Sequence, residues 1–454
     1  MKSIFIFRRD FRITDNTGLI ECIKNSDTVY PIFIFTPEQI KNNDYKSDNA
    51  VQFMITSLKY LAKKIDMTFC YGDYVKVLKE MIKKYKIDSI YTNTDYTKYA
   101  IKREKDIVKL AKDLGIEFKY FDDICLFKPG TVLTGGKKIY QKFTPFYNTC
   151  LSIKVEEPKR INLDNGMIKK ANFKYSINMS EMNKYYKHND NINIDGGRKE
   201  GLKILKNLDK FKKYDDTRNT LSIETTQLSG YLKFGCVSIR ECYHKMKKKF
   251  GKKDPLIRQL IWRDFYYHLG NGFIDRFGKS LKPKYDNIKW DYNASRLQKW
   301  KDGNTGYPVV DACMKQINNT GYMHNRGRLI VASFLVKNLQ INWEAGEKYF
   351  AQKLLDYDVL VNNGNWQWVS GSGADSMPYF RIFNPWTQSE KFDPKCEYIK
   401  HWLPNLKDVE NKHLHQWEKF YTEYDLKEID YVKPMIDYKE SREKTLKMYK
   451  KGLY

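Results

Sequence analysis

The sequence predicts an α/β amino-terminal domain on a parallel, Rossmann-like sheet, joined to an all-α carboxy-terminal domain. Three observations carry this expectation. Through the first third of the 454 residues, short apolar runs alternate with amphipathic stretches. From 151 to 200 the chain turns polar and irregular, rich in Lys and Asn. Beyond it, helical periodicity punctuated by Gly and Pro continues without a convincing strand. A chain of this length exceeds one ordinary core, so the α/β domain is placed at 1–130, a connector at 131–200 and the helical domain at 201–454.

The runs 4–7, 29–35, 67–71, 89–93 and 116–121 read as buried strands, and 17–24, 49–64, 74–85 and 99–114 as the helices between them. Such alternation implies parallel strands linked by right-handed crossovers, with both faces of the sheet covered. Arg8, Arg9 and Asp10 follow the first strand where a dinucleotide-binding fold has its glycine-rich turn, which argues against that site. Gly135-Gly136-Lys137 lacks the spacing and the following Ser or Thr of a phosphate loop. The connector is expected to run over the surface.

Hydrophobic residues make up 41% of the chain and aromatic residues 15%, ample for packed interiors. No apolar run reaches the roughly 18 residues of a membrane span, and the first residues lack a signal peptide's apolar stretch and cleavage site. The expectation is an intracellular protein, cytoplasmic or nuclear, neither secreted nor membrane-bound. Eight cysteines are scattered without metal-ligand spacing. Cys236 and Cys242 have no histidine pair near them, so reduced thiols and no metal are expected. Lys and Arg number 81 against 55 Asp and Glu, a formal charge of +26. That excess points to a polyanionic partner, through counterions released from phosphates, or to a lysine-rich surface that aids solubility. The lysines from Lys245 to Lys249, with Lys252 and Lys253, read as a solvated face.

Two segments carry candidate chemistry. From 254 to 270, Asp254 suits an N-cap, Pro255 the first helical position and Gly270 the exit. Leu256, Ile257, Leu260, Ile261 and Phe265 form an apolar flank, while Gln259, Trp262, Arg263 and Tyr266 follow i, i+3, i+4, i+7 spacing on another face. Such a face suits an unstacked base and its phosphate, or else a partly buried Trp beneath a snorkelling Arg. In the second segment, Asn362 to Trp368, Trp366 and Trp368 stand two positions apart and point about 200° away from each other on a helix. One of them can face an interior cofactor while the other lines a cavity. Asp356 and Asp358 precede them, offering carboxylates to an arginine or a ring amide.

Several motifs occur in the order of one known family. Phe7 to Arg12 with Asp15-Asn16, then Thr225 to Gly235, Gly306-Tyr307-Pro308 to Ala312, Gly321 to Arg328, Ala332 to Leu335, Trp366-Gln367-Trp368 and Tyr379 to Pro385 closely resemble the photolyase/cryptochrome family, nearly end to end. The resemblance implies an antenna-type α/β domain and a helical domain holding a bent FAD. It implies light-driven repair of pyrimidine dimers in damaged DNA, of the class I cyclobutane type, in which excited reduced FAD lends an electron to the lesion and regains it.

By the same resemblance, Tyr214, Thr225, Thr226, Gln227, Leu228 and Ser229 hold the ribityl and phosphate region. Asn362 lies against the central-ring nitrogen, and Asp356 and Asp358 meet the pyrimidine end, Arg328 pairing with Asp356. Trp262 and Trp368 match the aromatic walls of the lesion pocket, and Gln259, Asn325 and Leu329 line it. Arg263 and Arg326 are placed for phosphates beside the lesion, and Arg381 is assigned to DNA as well. Trp366, Trp343 and Trp290 match the relay that carries electrons from the surface to oxidised flavin. The chain departs from the family at Gln227, where an Arg is common, at Gln259 for a usual Glu, and at Leu329 for a usual Met.

Enzymes of the (6-4) type carry histidines where Asn325 and Leu329 stand, which favours cyclobutane dimers here. The alternatives are a cryptochrome photoreceptor, of the signalling or the single-strand-repairing type, and a (6-4) photolyase. Tyr96, Tyr99 and Ala100 do not match a folate-binding pattern well, leaving a deazaflavin, a folate or no antenna. A monomer is expected.

Overall fold

The structure, a computed structural model, describes residues 1–454 apart from 162, 164 and 165. Among the described residues the sheet has strands β1 (Lys2–Ile6), β2 (Thr28–Phe35), β3 (Thr68–Tyr71), β4 (Ser89–Asn93), β5 (Glu117–Phe121) and β6 (Ser176–Ile177), in the order β5-β4-β1-β2-β3-β6. The first five pair in parallel, and β6 runs antiparallel along the edge of β3. Helices α1 (Thr17–Lys24), α2 (Asp48–Ala62), α3 (Tyr74–Tyr85) and α4 (Lys98–Asp113) make the crossovers. Each starts at a side-chain cap, from Asn16, Ser47, Asp73 and Thr97, which satisfies an amide the helix leaves without a partner.

The sequence reading found no strand beyond 121, so β6 is a correction. The connector is corrected too: Val155, Ile168, Ala171 and Phe173 are buried, and Val29 bridges Ile168. The segment closes the sheet's edge and belongs to the core. The helices that build the remainder of the argument are α5 (Phe143–Ser152), α6 (Ile239–Phe250), α7 (Pro255–Gly272), α8 (Asn325–Ser333), α9 (Trp343–Lys353), α10 (Val359–Ser370) and α11 (Tyr438–Leu453). One apolar cluster runs from Phe5, Phe33 and Phe53 into Phe234, Leu260 and Phe265, so the sheet and the helices share a core.

The two halves are also clasped by charge. Asp123 accepts from Arg12 at 2.5 Å and from Arg240 at 2.8 Å, and Arg240 reaches Asp15 at 2.8 Å, all out of water. The Ser238 hydroxyl, at the cap of α6, donates to Asp15 as well. Gly235 completes the fit: its φ is +60°, and a Cβ there would lie 2.3 Å from the Arg9 carbonyl oxygen.

Burial pushes the Asp123 carboxyl up, but the guanidiniums of Arg12 and Arg240 outweigh it and hold it down at about 2. A lowered carboxyl stabilises the fold above its unfolded value of about 3.9 and loses that contribution as pH falls through its folded value. Asp123→Asn is expected to cost roughly 3 kcal/mol or more at neutral pH. It should also remove about 2–3 kcal/mol of the stability the parent loses on acidification, as read by urea unfolding at stepped pH.

Candidate functional site

Between α7, α8, α9, α10 and the loop at 225–229 lies a cavity of about 300 Å³, at the lower bound of small-molecule sites. Helix α7 turns Leu256, Gln259, Leu260 and Arg263 toward it, and α8 turns Asn325, Arg328, Leu329 and Ala332, both in i, i+3, i+4, i+7 spacing. Asn362 and Trp366 come from α10, and Asp356 and Asp358 from the turn before it. Tyr214, Thr225, Thr226, Gln227, Leu228 and Ser229 close the far side. The wall therefore combines apolar side chains with amide, hydroxyl and charged groups, which suits a planar ring carrying a polar tail.

Five residues read as DNA- or lesion-facing lie outside the cavity lining or are engaged by other groups of the chain. The cavity stripe of α7 includes Leu256 and Leu260 and omits Trp262 and Tyr266. Trp262 stacks on Phe143 of α5 at 3.6 Å and 7°, and Tyr266 lies beside it at 5.9 Å. A parallel aromatic partner from a helix distant in sequence captures that ring. Arg263 lines the cavity, but its Nη1 donates to the Ile124 carbonyl at 2.8 Å and its guanidinium lies 4.7 Å over the Tyr267 ring, so it does not reach outward to phosphates. Arg326 donates to Asn219 at 2.7 Å and lies 4.2 Å over Phe392. Trp368 is half-buried outside the cavity lining, whereas Arg381 is exposed, next to an exposed Phe380.

The carboxylates are held from several sides. Arg328 donates to Asp356 at 2.9 Å, and the Ser229 hydroxyl donates to the same oxygen at 2.6 Å. Asp358 accepts from Tyr267 at 2.5 Å and from Arg9, which arrives from the end of β1, while its other oxygen caps α10. Burial pushes the Asp358 carboxyl up, but Arg9, Lys233 and Arg263 outweigh it and hold it well below the usual range. Lys233, a cavity residue the sequence reading did not single out, is pushed down to about 8, by burial first and by Arg9 next. Asn362 donates through Nδ2 to Glu347 Oε1 at 3.0 Å.

Trp366 is buried against the cavity wall, edge-on to Phe350 at 5.0 Å. Gly346 makes room for it, since a Cβ there would stand 2.2 Å from the indole. Trp343 is buried one turn earlier on the same helix, and Trp290 is half-buried, edge-on to Tyr449 at 5.9 Å. Trp300 was missed: it is fully buried, edge-on to Trp366 at 6.4 Å, and its Nε1 donates to the Val331 carbonyl. At the carboxyl end of the sheet, Tyr99 shares a hydrogen bond with Thr36 at 3.1 Å, Tyr96 donates to Asp122, and Ala100 is buried. Arg8 pairs with Glu104 at 2.5 Å there, and Arg8 and Arg103 each keep buried nitrogens without a hydrogen-bond partner.

Residues 3–161 match the family model for DNA photolyase, and residues 256–451 match the FAD binding domain of DNA photolyase. A deoxyribodipyrimidine photo-lyase of Buchnera aphidicola (subsp. Acyrthosiphon pisum) is 35% identical, over 99% of this chain and 97% of its own length. The chain belongs to the DNA photolyase family. An archaeal photolyase from Sulfolobus tokodaii, solved with two FAD molecules, superimposes with a TM-score of 0.89 at 38% identity, covering 99% of this chain and 100% of that one. A cryptochrome of Synechocystis superimposes with a TM-score of 0.88 at 26% identity, each chain 99% covered. The helical part of this family member is an FAD-binding unit, and FAD is its cofactor. The fit is chemical as well: the Arg328–Asp356 pair, the amide of Asn362 and the hydroxyls of Thr225, Thr226 and Ser229 border one cavity. Among the described residues no cluster of three metal-ligating side chains occurs, and no helix is long and apolar enough to cross a membrane.

Proposed function

We propose that this chain repairs ultraviolet-damaged DNA, splitting cyclobutane pyrimidine dimers under light. The observation that carries the reading is a single cavity bordered by a flavin-type polar set at Arg328, Asp356 and Asn362, with amides at Gln259 and Asn325 and an indole, Trp366, on its wall. Bound FAD, reduced and light-excited, supplies the electron that opens the dimer. The chain's own residues bind and orient. Tyr214 and residues 225–229 take the ribityl and phosphate part, and Arg328, fixed by Asp356, takes the ring's polar edge. Gln259 and Asn325, amides able to donate and accept, hold the base edges, with Leu329 as an apolar contact. A dimer must leave the duplex to arrive there, at a cost of a few kcal/mol that is least for a damaged pair. The exposed Arg381, on a chain of formal charge +26, supplies phosphate contacts.

In this reading the protein works as a monomer inside the cell, with an α/β domain at 1–130, a connector at 131–200 and a helical domain at 201–454. Mixing the reduced protein with ultraviolet-irradiated oligothymidine under blue light tests it. Recovery of thymine absorbance, in single strands and in duplex, is expected. Recovery in single strands alone points to the single-strand-repairing type, and none in either form to a photoreceptor.

A further inference from the structure

The amide of Asn362 is held from behind by a buried acid. Glu347 sits on α9, 5% exposed, and its Oε1 accepts both from Asn362 Nδ2 at 3.0 Å and from the Tyr357 hydroxyl at 3.1 Å. A carboxylate has only acceptors to offer. It therefore fixes which edge of the amide faces it: the NH₂ edge turns to Glu347, and the Oδ1 edge is left for the cavity that Asn362 lines. We infer that Glu347 is a positioning residue that sets the polarity Asn362 presents to the flavin, an acceptor while Glu347 is charged and either edge once it is protonated. This rests on the reading that Asn362 lies against the central-ring nitrogen.

The surroundings make the acid's charge state adjustable. Burial pushes the Glu347 carboxyl up to about 7, against the hydrogen bonds from Asn362 and Tyr357, and Glu344 on the same helix adds to the rise. Among the described residues no Lys, Arg or His lies within ion-pair distance of it; Lys348, next on the helix, pairs with Asp44. The other ionisable groups around it are Tyr45, which feels its charge from the segment before α2, and Asp358, which acts on Tyr357. The sign follows directly. A raised carboxyl is charged above its own value and neutral below, so the acceptor polarity is enforced on the alkaline side. The central-ring nitrogen of a flavin bears a hydrogen when reduced and a lone pair when oxidised. An enforced acceptor therefore favours the reduced cofactor, and protonation of Glu347 relaxes that preference.

The test is a pair of redox titrations of the FAD-loaded protein, parent and Glu347→Gln, at stepped pH. Glutamine keeps the shape but accepts and donates at any pH, so Asn362 is free to turn. Above about pH 8 the ratio of oxidised to reduced flavin at a fixed potential should be about tenfold higher in the variant, a fall of about 30 mV for a two-electron couple. Below about pH 6 the two curves should converge, since the protonated acid then behaves as its amide does. Tyr357→Phe removes one donor to the charged form and should move the parent's break to higher pH. In flavin-free protein the protonated-carboxyl stretch in the infrared, absent from Glu347→Gln, reports the same titration. Flavin-loaded curves that coincide or stay parallel at every pH, with no shift in Tyr357→Phe, overturn the inference alone. A folded protein that takes up no flavin overturns the functional reading, and this inference with it.

Discussion

Trp366→Phe is expected to reduce photoreduction of oxidised FAD to the level of buffer, while repair by protein reduced beforehand with dithionite stays close to that of the parent. The asymmetry comes from where the ring sits. Trp366 borders the cavity and is 3% exposed, so an electron entering from solvent needs intermediate rings, and the indole beside the flavin is the last of them. Phenylalanine keeps the apolar contact with Phe350 but gives up its electron far less readily. Transient absorption after a blue flash checks this, and rapid photoreduction of the variant with external reductant present would remove Trp366 from the path. Trp343→Phe should behave in the same way. If it were photoreduced as fast as the parent while Trp300→Phe were not, electrons would arrive through the indole packed at 6.4 Å on the other side of Trp366.

Asp358→Ala is expected to destabilise the protein by about 3–5 kcal/mol and to strip it of flavin. The carboxylate is 8% exposed and the Arg9 side chain it accepts from 10%, so its removal leaves a guanidinium out of water with, among the described residues, Asp95 at 3.3 Å as its remaining ion-pair partner. The Tyr267 hydroxyl loses its acceptor, and α10 loses a cap worth about 1 kcal/mol, at the end of the helix that presents Asn362 and Trp366. Asp358→Asn keeps a side chain able to cap and should fall between the two. Urea midpoints and the flavin-to-protein absorbance ratio measure both effects. An alanine variant as stable and as yellow as the parent would show that the clasp does not hold the site.

Alternation of apolar runs with amphipathic stretches made much of the sheet domain readable. Strand 89–93 and helices 17–24 and 74–85 appear with the expected ends, the helices starting at side-chain caps from Asn16 and Asp73 and the strand buried along its whole length. The edge strand Ser176–Ile177 is too short for any period to register, and its partner lies about a hundred residues away. In the cavity, the positions on α8 and α10 were legible through motif resemblance, whereas the facing stripe of α7 was misjudged. Its residues offer both an apolar flank and a Gln-Trp-Arg-Tyr face, and in the structure Trp262 stacks on Phe143, which no local signal links to it. Glu347 was invisible for a related reason: flanked by Glu344 and Lys348 it carries no apolar signal, and it is enclosed by groups distant in sequence, Asn362 of α10 and Tyr357 before it.

The charge clasp across the two halves bears on how the molecule is made. Translation delivers the sheet first, so Arg9, Arg12, Asp15 and Asp123 leave the ribosome well before Arg240 and Asp358 exist to meet them. A nascent chain paused in between carries a half-finished polar seam that water must cover. Docking then waits for Arg240, just past the middle of the polypeptide, and is complete only when Asp358, in its last quarter, reaches Arg9.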